Sequence, residues 1–131
     1  MDREEIIFFI KKAKEKKSKS LDLSNRDLAE LPVEIGELTS LEHLDLSYNS
    51  ITEIPPSIGR LVNLKTLLLL RNSISELPSE IGALRSLELL DASHNCFDTL
   101  PKEIGLLSQL RSLDLSYGRL VSLPVEMIDL L

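Results

Sequence analysis

The sequence predicts an α/β solenoid: an N-terminal capping helix, then about five stacked repeats whose short strands make a parallel sheet on a concave side. Three observations carry this. Leu41, Leu64, Leu87 and Leu110 open successive copies of one pattern at a period of 23 residues. Pro32, Pro55, Pro78, Pro101 and Pro124 mark the same later point in every copy. Within a copy, Leu44-Asp45-Leu46 alternates with period two, the sign of a strand with one face inward. A fixed period of 20–50 residues means units that stack, each burying its apolar face against its neighbours. The division is residues 1–17 for the helix and 18–40, 41–63, 64–86, 87–109 and 110–131 for the repeats.

The helix is read from its start signal. Asp2 and Glu5 have the spacing of a capping box, with each side chain bonding the other's backbone amide. Behind them Ile6, Phe9, Ile10 and Ala13 recur at helical spacing on one face, while Lys11, Lys12, Lys14 and Lys16 occupy the other. Phe8, Phe9 and three isoleucines suit the open edge of a first repeat, which needs a polar-faced cap. A basic amphipathic helix on an anionic membrane is the competing reading.

Each repeat has the form LxxLxLxxNx(I/L/F)xx(L/I)PxxIGxL. The strands are expected around Leu21–Leu23, Leu44–Leu46, Leu67–Leu69, Leu90–Ala92 and Leu113–Leu115. The proline forbids a ladder bond where the chain turns, and Gly36, Gly59, Gly82 and Gly105 are expected to supply positive φ on the convex wall. Asn49, Asn72 and Asn95 sit where each strand turns away, where a carboxamide can satisfy backbone groups beyond the reach of the ladder. Arg26 and Gly118 hold that position in the first and last copies.

Composition excludes several classes. Net charge is −6, with fifteen Lys/Arg and twenty-one Asp/Glu. Residues 1–19 carry seven of the basic and four of the acidic residues, so the repeats are strongly acidic. Such an array is a poor nucleic-acid binder, since that affinity rests on neutralising phosphates. The apolar run Ile6–Ile10 is too short for a signal peptide or a membrane span. Cys96 stands alone, so no internal disulfide forms, and a reducing, cytoplasmic setting is expected.

The repeated residues match the leucine-rich repeat consensus five times over residues 18–131. The 23-residue form with its LPxxIG segment resembles the intracellular Ras-group class, the type of Ras-suppressor and Scribble-like scaffolds. Similar arrays precede the GTPase module of Roco-type proteins and occur in bacterial secreted repeat proteins. The resemblance implies a horseshoe that binds proteins on its concave face or edges, with a small GTPase or another signalling protein as the partner class. The family's arrays are usually longer than five repeats.

Candidate binding residues follow from which positions point out of the concave sheet. They form four columns: Ser20, His43, Thr66, Leu89, Ser112; Asp22, Asp45, Leu68, Asp91, Asp114; Ser24, Ser47, Leu70, Ser93, Ser116; and Asn25, Tyr48, Arg71, His94, Tyr117. The third repeat breaks the Asp/Ser pattern with Leu68 and Leu70, and Leu89 lies diagonally beside Leu68. An apolar patch on an outward surface marks an interaction site. Tyr48, Arg71, His94 and Tyr117 flank it, and Tyr and Arg are enriched among binding hot spots. Asp45, Asp91 and His43 complete the expected partner-binding set. Calcium is disfavoured at the paired aspartates, because it wants six or more oxygens on flexible loops. The sheet offers on the order of 400 Å², against ~800 Å² per partner in a standard interface, so loops or a further surface must contribute.

Catalysis finds no constellation. His43 and His94 fall two strands apart, Cys96 has no Lys or Arg beside it, and no glycine opens a phosphate-binding loop. The chain reads as a non-catalytic interaction module without cofactor or metal. The rival is a structural N-terminal segment of a larger, for example GTPase-linked, protein. At the C-terminal edge Gly118 replaces the ladder Asn and Ile128 replaces the glycine, leaving Leu110, Leu113, Leu115, Leu120, Leu123 and Met127 to be covered. Further repeats or a second copy, joined two-fold edge to edge, are expected there.

Overall fold

The computed structural model describes residues 1–119. Helix α1 (Arg3–Glu15) precedes five strands: β1 (Ser20–Asp22), β2 (His43–Asp45), β3 (Thr66–Leu68), β4 (Leu89–Asp91) and β5 (Ser112–Asp114). They form one parallel sheet in the order β1-β2-β3-β4-β5. The register pairs equivalent positions of successive copies, Leu21 with Leu44, Leu44 with Leu67, Leu67 with Leu90 and Leu90 with Leu113. Each strand lies one residue earlier than the expected range. The bonding still runs on, as Leu46 N–H donates to Leu68 O at 2.8 Å and Leu69 N–H to Asp91 O at 2.7 Å. The later half of the fifth copy, with Pro124, Ile128 and the C-terminal edge, lies outside the described residues.

Leu44, Leu46, Leu67, Leu69, Leu90 and Ala92 point inward and are buried, with Ile51, Ile74 and Phe97 stacked behind them. The back wall is a series of 3-10 turns, Val33–Glu37, Pro56–Arg60, Ser79–Ala83 and Lys102–Leu106. Each follows an extended proline, and its isoleucine (Ile35, Ile58, Ile81 or Ile104) plugs the core.

The glycines of this wall are there for a different reason than the sequence suggests. No glycine has positive φ among the described residues. They are small because the turns stack closely: a Cβ on Gly36 would stand 2.6 Å from Ser57 O, and one on Gly59 would stand 2.8 Å from Glu80 O. Those obstacles are backbone and cannot swing away. Gly36→Ala is therefore expected to cost about 1–3 kcal/mol as overpacking, read as a lower urea midpoint. An unchanged midpoint would contradict the close approach.

The left-handed conformation belongs instead to Asn25, Tyr48, Arg71, His94 and Tyr117, at φ of 54°, 58°, 55°, 55° and 56°. This is where every strand turns out of the sheet, and in the three middle copies the following Asn pins the turn. Asn72 accepts from Ile51 N–H and donates to Leu46 O and Leu69 O. Asn95 accepts from Ile74 N–H and donates to Leu69 O, Ala92 O and Ser93 O. Asn49 accepts from both Arg26 and Leu28 amides. Each carboxamide reaches back to the preceding copy, which explains why the first copy can carry Arg26. There the neighbour is the segment leading into α1, where Met1 N donates to Arg26 O at 3.0 Å.

Helix α1 covers the first repeat with Ile6, Ile10 and Ala13, all buried. Asp2 caps it, accepting from Glu5 N–H at 2.9 Å. Only this half of the expected capping box forms, since Glu5 is exposed and makes no return bond. Phe8 is a second correction: it stands outward at 57% exposure, under Lys12, whose Nζ lies 5.5 Å from the ring centre. Phe9 is half-buried instead and packs beneath the Arg26 guanidinium. Lys14 donates to Glu37 at 2.8 Å and Arg3 pairs with Glu34 at 3.3 Å, fixing the helix against the first 3-10 turn.

Candidate functional site

The concave face is built in rows, because equal positions of successive strands stand side by side. At the entry edge of the strands, Lys19, Glu42, Lys65, Glu88 and Arg111 alternate in sign at the repeat period. Glu42 accepts from both neighbours, at 3.3 Å from Lys19 and 3.4 Å from Lys65. Hydrogen bonds from those two ammonium groups hold its carboxyl below the usual range. Glu42 is thus neutralised within the edge. Sequence reasoning missed it, although sign alternation every 23 residues was the available signal.

The next rows contain the expected site residues. His43 is exposed on β2, and Leu89 is half-buried on β4. The register brings Asp45, Leu68 and Asp91 side by side, with Asp22 and Asp114 beyond them. Leu68 and Leu70 are half-buried.

The aspartates, expected from the sequence as partner-binding residues, also have a structural task. One oxygen of Asp45 accepts from Ser47 N–H at 2.9 Å. Asp22, Asp91 and Asp114 each accept from both the amide and the hydroxyl of the serine two residues on. The Ser24 hydroxyl first, then its amide, holds the Asp22 carboxyl low, and Ser116 does the same for Asp114. The LDLS motif is thus a turn brace, with the serine tucked in: Ser47 and Ser93 are buried. The second oxygen of each aspartate has no such bond, and no Lys or Arg forms an ion pair with any of the four among the described residues. The third repeat lacks both halves of the brace, since Leu68 and Leu70 replace Asp and Ser.

The exit edge holds the remaining expected residues. The Arg71 guanidinium lies over the Tyr48 ring at 5.9 Å, and His94 stacks on Tyr117 with centres 4.3 Å apart. Tyr48 and Tyr117 remain 52% and 77% exposed. The left-handed backbone aims this column at the rim, and the pairs order its side chains. His43 and His94 stay in different rows and share no contact, and Cys96 is half-buried on its turn. Among the described residues, no three His, Cys, Asp or Glu side chains are grouped to hold a metal ion. A groove of about 410 Å³ between α1 and the first 3-10 turn is lined by the ion-paired Lys14 and Glu37. No helix among the described residues is long and apolar enough to cross a membrane.

A one-stranded-per-repeat parallel sheet backed by 3-10 turns and braced by an Asn ladder defines a repeat solenoid with a side-chain-rich concave surface. The chain belongs to the leucine-rich repeat family: residues 57–131 match the model of a leucine-rich repeat region and residues 18–74 match a leucine-rich repeat model. No curated protein sequence matches. Among solved structures, a leucine-rich repeat protein of Leptospira interrogans is 34% identical with a TM-score of 0.74, covering 92% of this chain. An internalin of Listeria monocytogenes is 25% identical with a TM-score of 0.75, covering 90%. The leucine-rich repeat ectodomain of an Arabidopsis thaliana receptor kinase is 24% identical with a TM-score of 0.68 over 80% of this chain, and shows the fold alone. The chain spans 37% and 34% of the length of the two bacterial proteins, and 73% of the plant ectodomain. Leucine-rich repeat domains are commonly protein–protein interaction modules and typically not enzymes.

Proposed function

We propose that this chain is a non-catalytic, cytoplasmic protein-binding module that holds its partner on the concave face and exit rim. The observation that carries the reading is the break in the brace. Four copies place Asp and Ser in outward rows, while the central copy places Leu68 and Leu70 there, with Leu89 adjacent. Half-exposed leucines at the centre of an otherwise polar surface gain from being covered. Arg71, Tyr48, His94 and Tyr117 border them with residue types suited to a hot-spot rim, and His43, Asp45 and Asp91 lie within the same footprint. The cytoplasmic setting rests on the lone Cys96. A small GTPase or other signalling protein is the partner class that the Ras-group resemblance supports.

Leu68→Asp with Leu70→Ser restores the brace of the other copies. This double change is expected to leave stability within about 0.5 kcal/mol and to abolish partner capture. A loss of several kcal/mol would mean that the leucines are core, and the reading would fail. A second reading, a structural segment of a larger protein, is favoured by the chain's spanning only about a third of its bacterial neighbours. Failure of the unaltered chain to capture any partner would favour it.

A further inference from the structure

Resting on that reading, we propose that the segment seated on the concave face is a basic amphipathic α-helix lying along the stacking direction. Its contact stripe carries Lys or Arg on both sides of an apolar residue placed over Leu68 and Leu70. The central row reads Asp22, Asp45, Leu68, Asp91, Asp114 across β1 to β5. An apolar centre is therefore flanked on either side by carboxylates that no Lys or Arg of this chain pairs with among the described residues. In the entry row, by contrast, the Glu42 carboxylate is already paired with Lys19 and Lys65. A partner stripe of basic, apolar and basic side chains complements the central row position by position.

Spacing selects a helix over an extended peptide. Strands stand ~4.8 Å apart, and a helix advances ~5.4 Å per turn, so one residue per turn meets one strand per turn. The mismatch is only ~0.6 Å per step. Same-face residues of an extended segment are ~6.6 Å apart, and fall out of step by nearly 2 Å at every strand. Width agrees as well, since three residues of strand measure ~10 Å and a helix with side chains is ~10–12 Å across. The four strand spacings correspond to a helix of about 13 residues.

The test is fluorescence anisotropy with a stapled 14-residue helix whose one face reads Lys, Leu, Lys at one residue per turn. Controls are its scrambled isomer and a version with Glu in place of Lys. The basic helix is expected to bind, and both controls to bind at least tenfold more weakly. Asp45→Asn with Asp91→Asn keeps an acceptor for the turn brace while removing two charges, and should weaken binding about 2- to 30-fold, as should raising salt from about 0.05 to 0.5 M. Leu68→Asn with Leu70→Ser, which leaves the charge unchanged, should cost at least tenfold. Equal binding of the scrambled or acidic helix overturns the proposal. So does binding insensitive to the Asn pair and to salt. If no probe binds while partner capture is still lost in Leu68→Asp with Leu70→Ser, the partner chemistry is wrong and the binding-face reading survives.

Discussion

Deleting residues 1–17 is expected to unfold the first repeat and drive the protein into aggregates. Helix α1 contributes Ile6 and Ile10, each 2% exposed, and shields Leu23, Leu28, Leu31 and Ile35 behind it. Burying one such side chain is worth ~1.5–3 kcal/mol, so half-exposing these four and losing the two isoleucines forfeits roughly 6–12 kcal/mol. That is comparable to the whole stability of a small domain, about 5–15 kcal/mol. Loss in a solenoid starts at the uncovered end, because each repeat leans only on its neighbours. Hydrogen exchange should show protection lost at the Leu23 and Asn25 amides, which donate to Asp45 O and Ser47 O. Protection should persist longest at Leu69, bonded to Asp91 O near the middle of the sheet. A truncated chain that stays soluble, with Leu23 still protected, would show that α1 is not a cap and would return it to the membrane-surface reading.

What was legible in the sequence divides by physical cause. The period and the inward leucines follow from burial alone, and Leu44, Leu67 and Leu90 stand in register as their spacing requires. The concave columns follow from the same alternation. Backbone geometry was harder to read. Glycine signals both positive φ and close approach, and Gly36 and Gly59 serve the second, which only the distance to the next turn reveals. The positive φ is carried by Tyr48, Arg71, His94 and Tyr117, residue types that give no compositional warning.

The aspartates show another limit. LDLS recurs in plain view, yet the bond from serine to the aspartate two residues before it depends on a turn that the strand pattern does not describe. The row of Asp45 and Asp91 therefore serves the fold with one oxygen and remains open to a partner with the other. In α1, helical periodicity placed Ile6, Ile10 and Ala13 inward. Phe8 fell to the outer face because two residues along a helix is a turn of about 200°, and its aromatic character had suggested otherwise.

Asn72→Ala is expected to be among the more damaging single substitutions, costing roughly 2–6 kcal/mol. The side chain is 8% exposed and serves three backbone groups: Ile51 N–H, Leu46 O and Leu69 O. Alanine leaves Ile51 N–H unpaired, at about 1–3 kcal/mol, and takes one of two donors from each carbonyl, at about 0.5–1.5 kcal/mol apiece, since Leu46 O keeps its bond from Asn49 and Leu69 O its bond from Asn95. The damage spans two copies, since Leu46 and Ile51 belong to the second repeat and Leu69 to the third. The substitution should therefore lower the urea midpoint and also split the unfolding transition, freeing the first two repeats from the rest. Asn72→Asp provides the discriminating comparison: it keeps the acceptor for Ile51 N–H but turns a charged acceptor toward two carbonyl oxygens that repel it. If the donated bonds dominate, Asp will be as harmful as Ala at neutral pH and will recover part of the loss on acidification, when the protonated carboxyl can donate once. A midpoint for Asn72→Ala within about 0.5 kcal/mol of the parent would mean that water replaces the carboxamide at no cost, and that the ladder is not what joins the repeats.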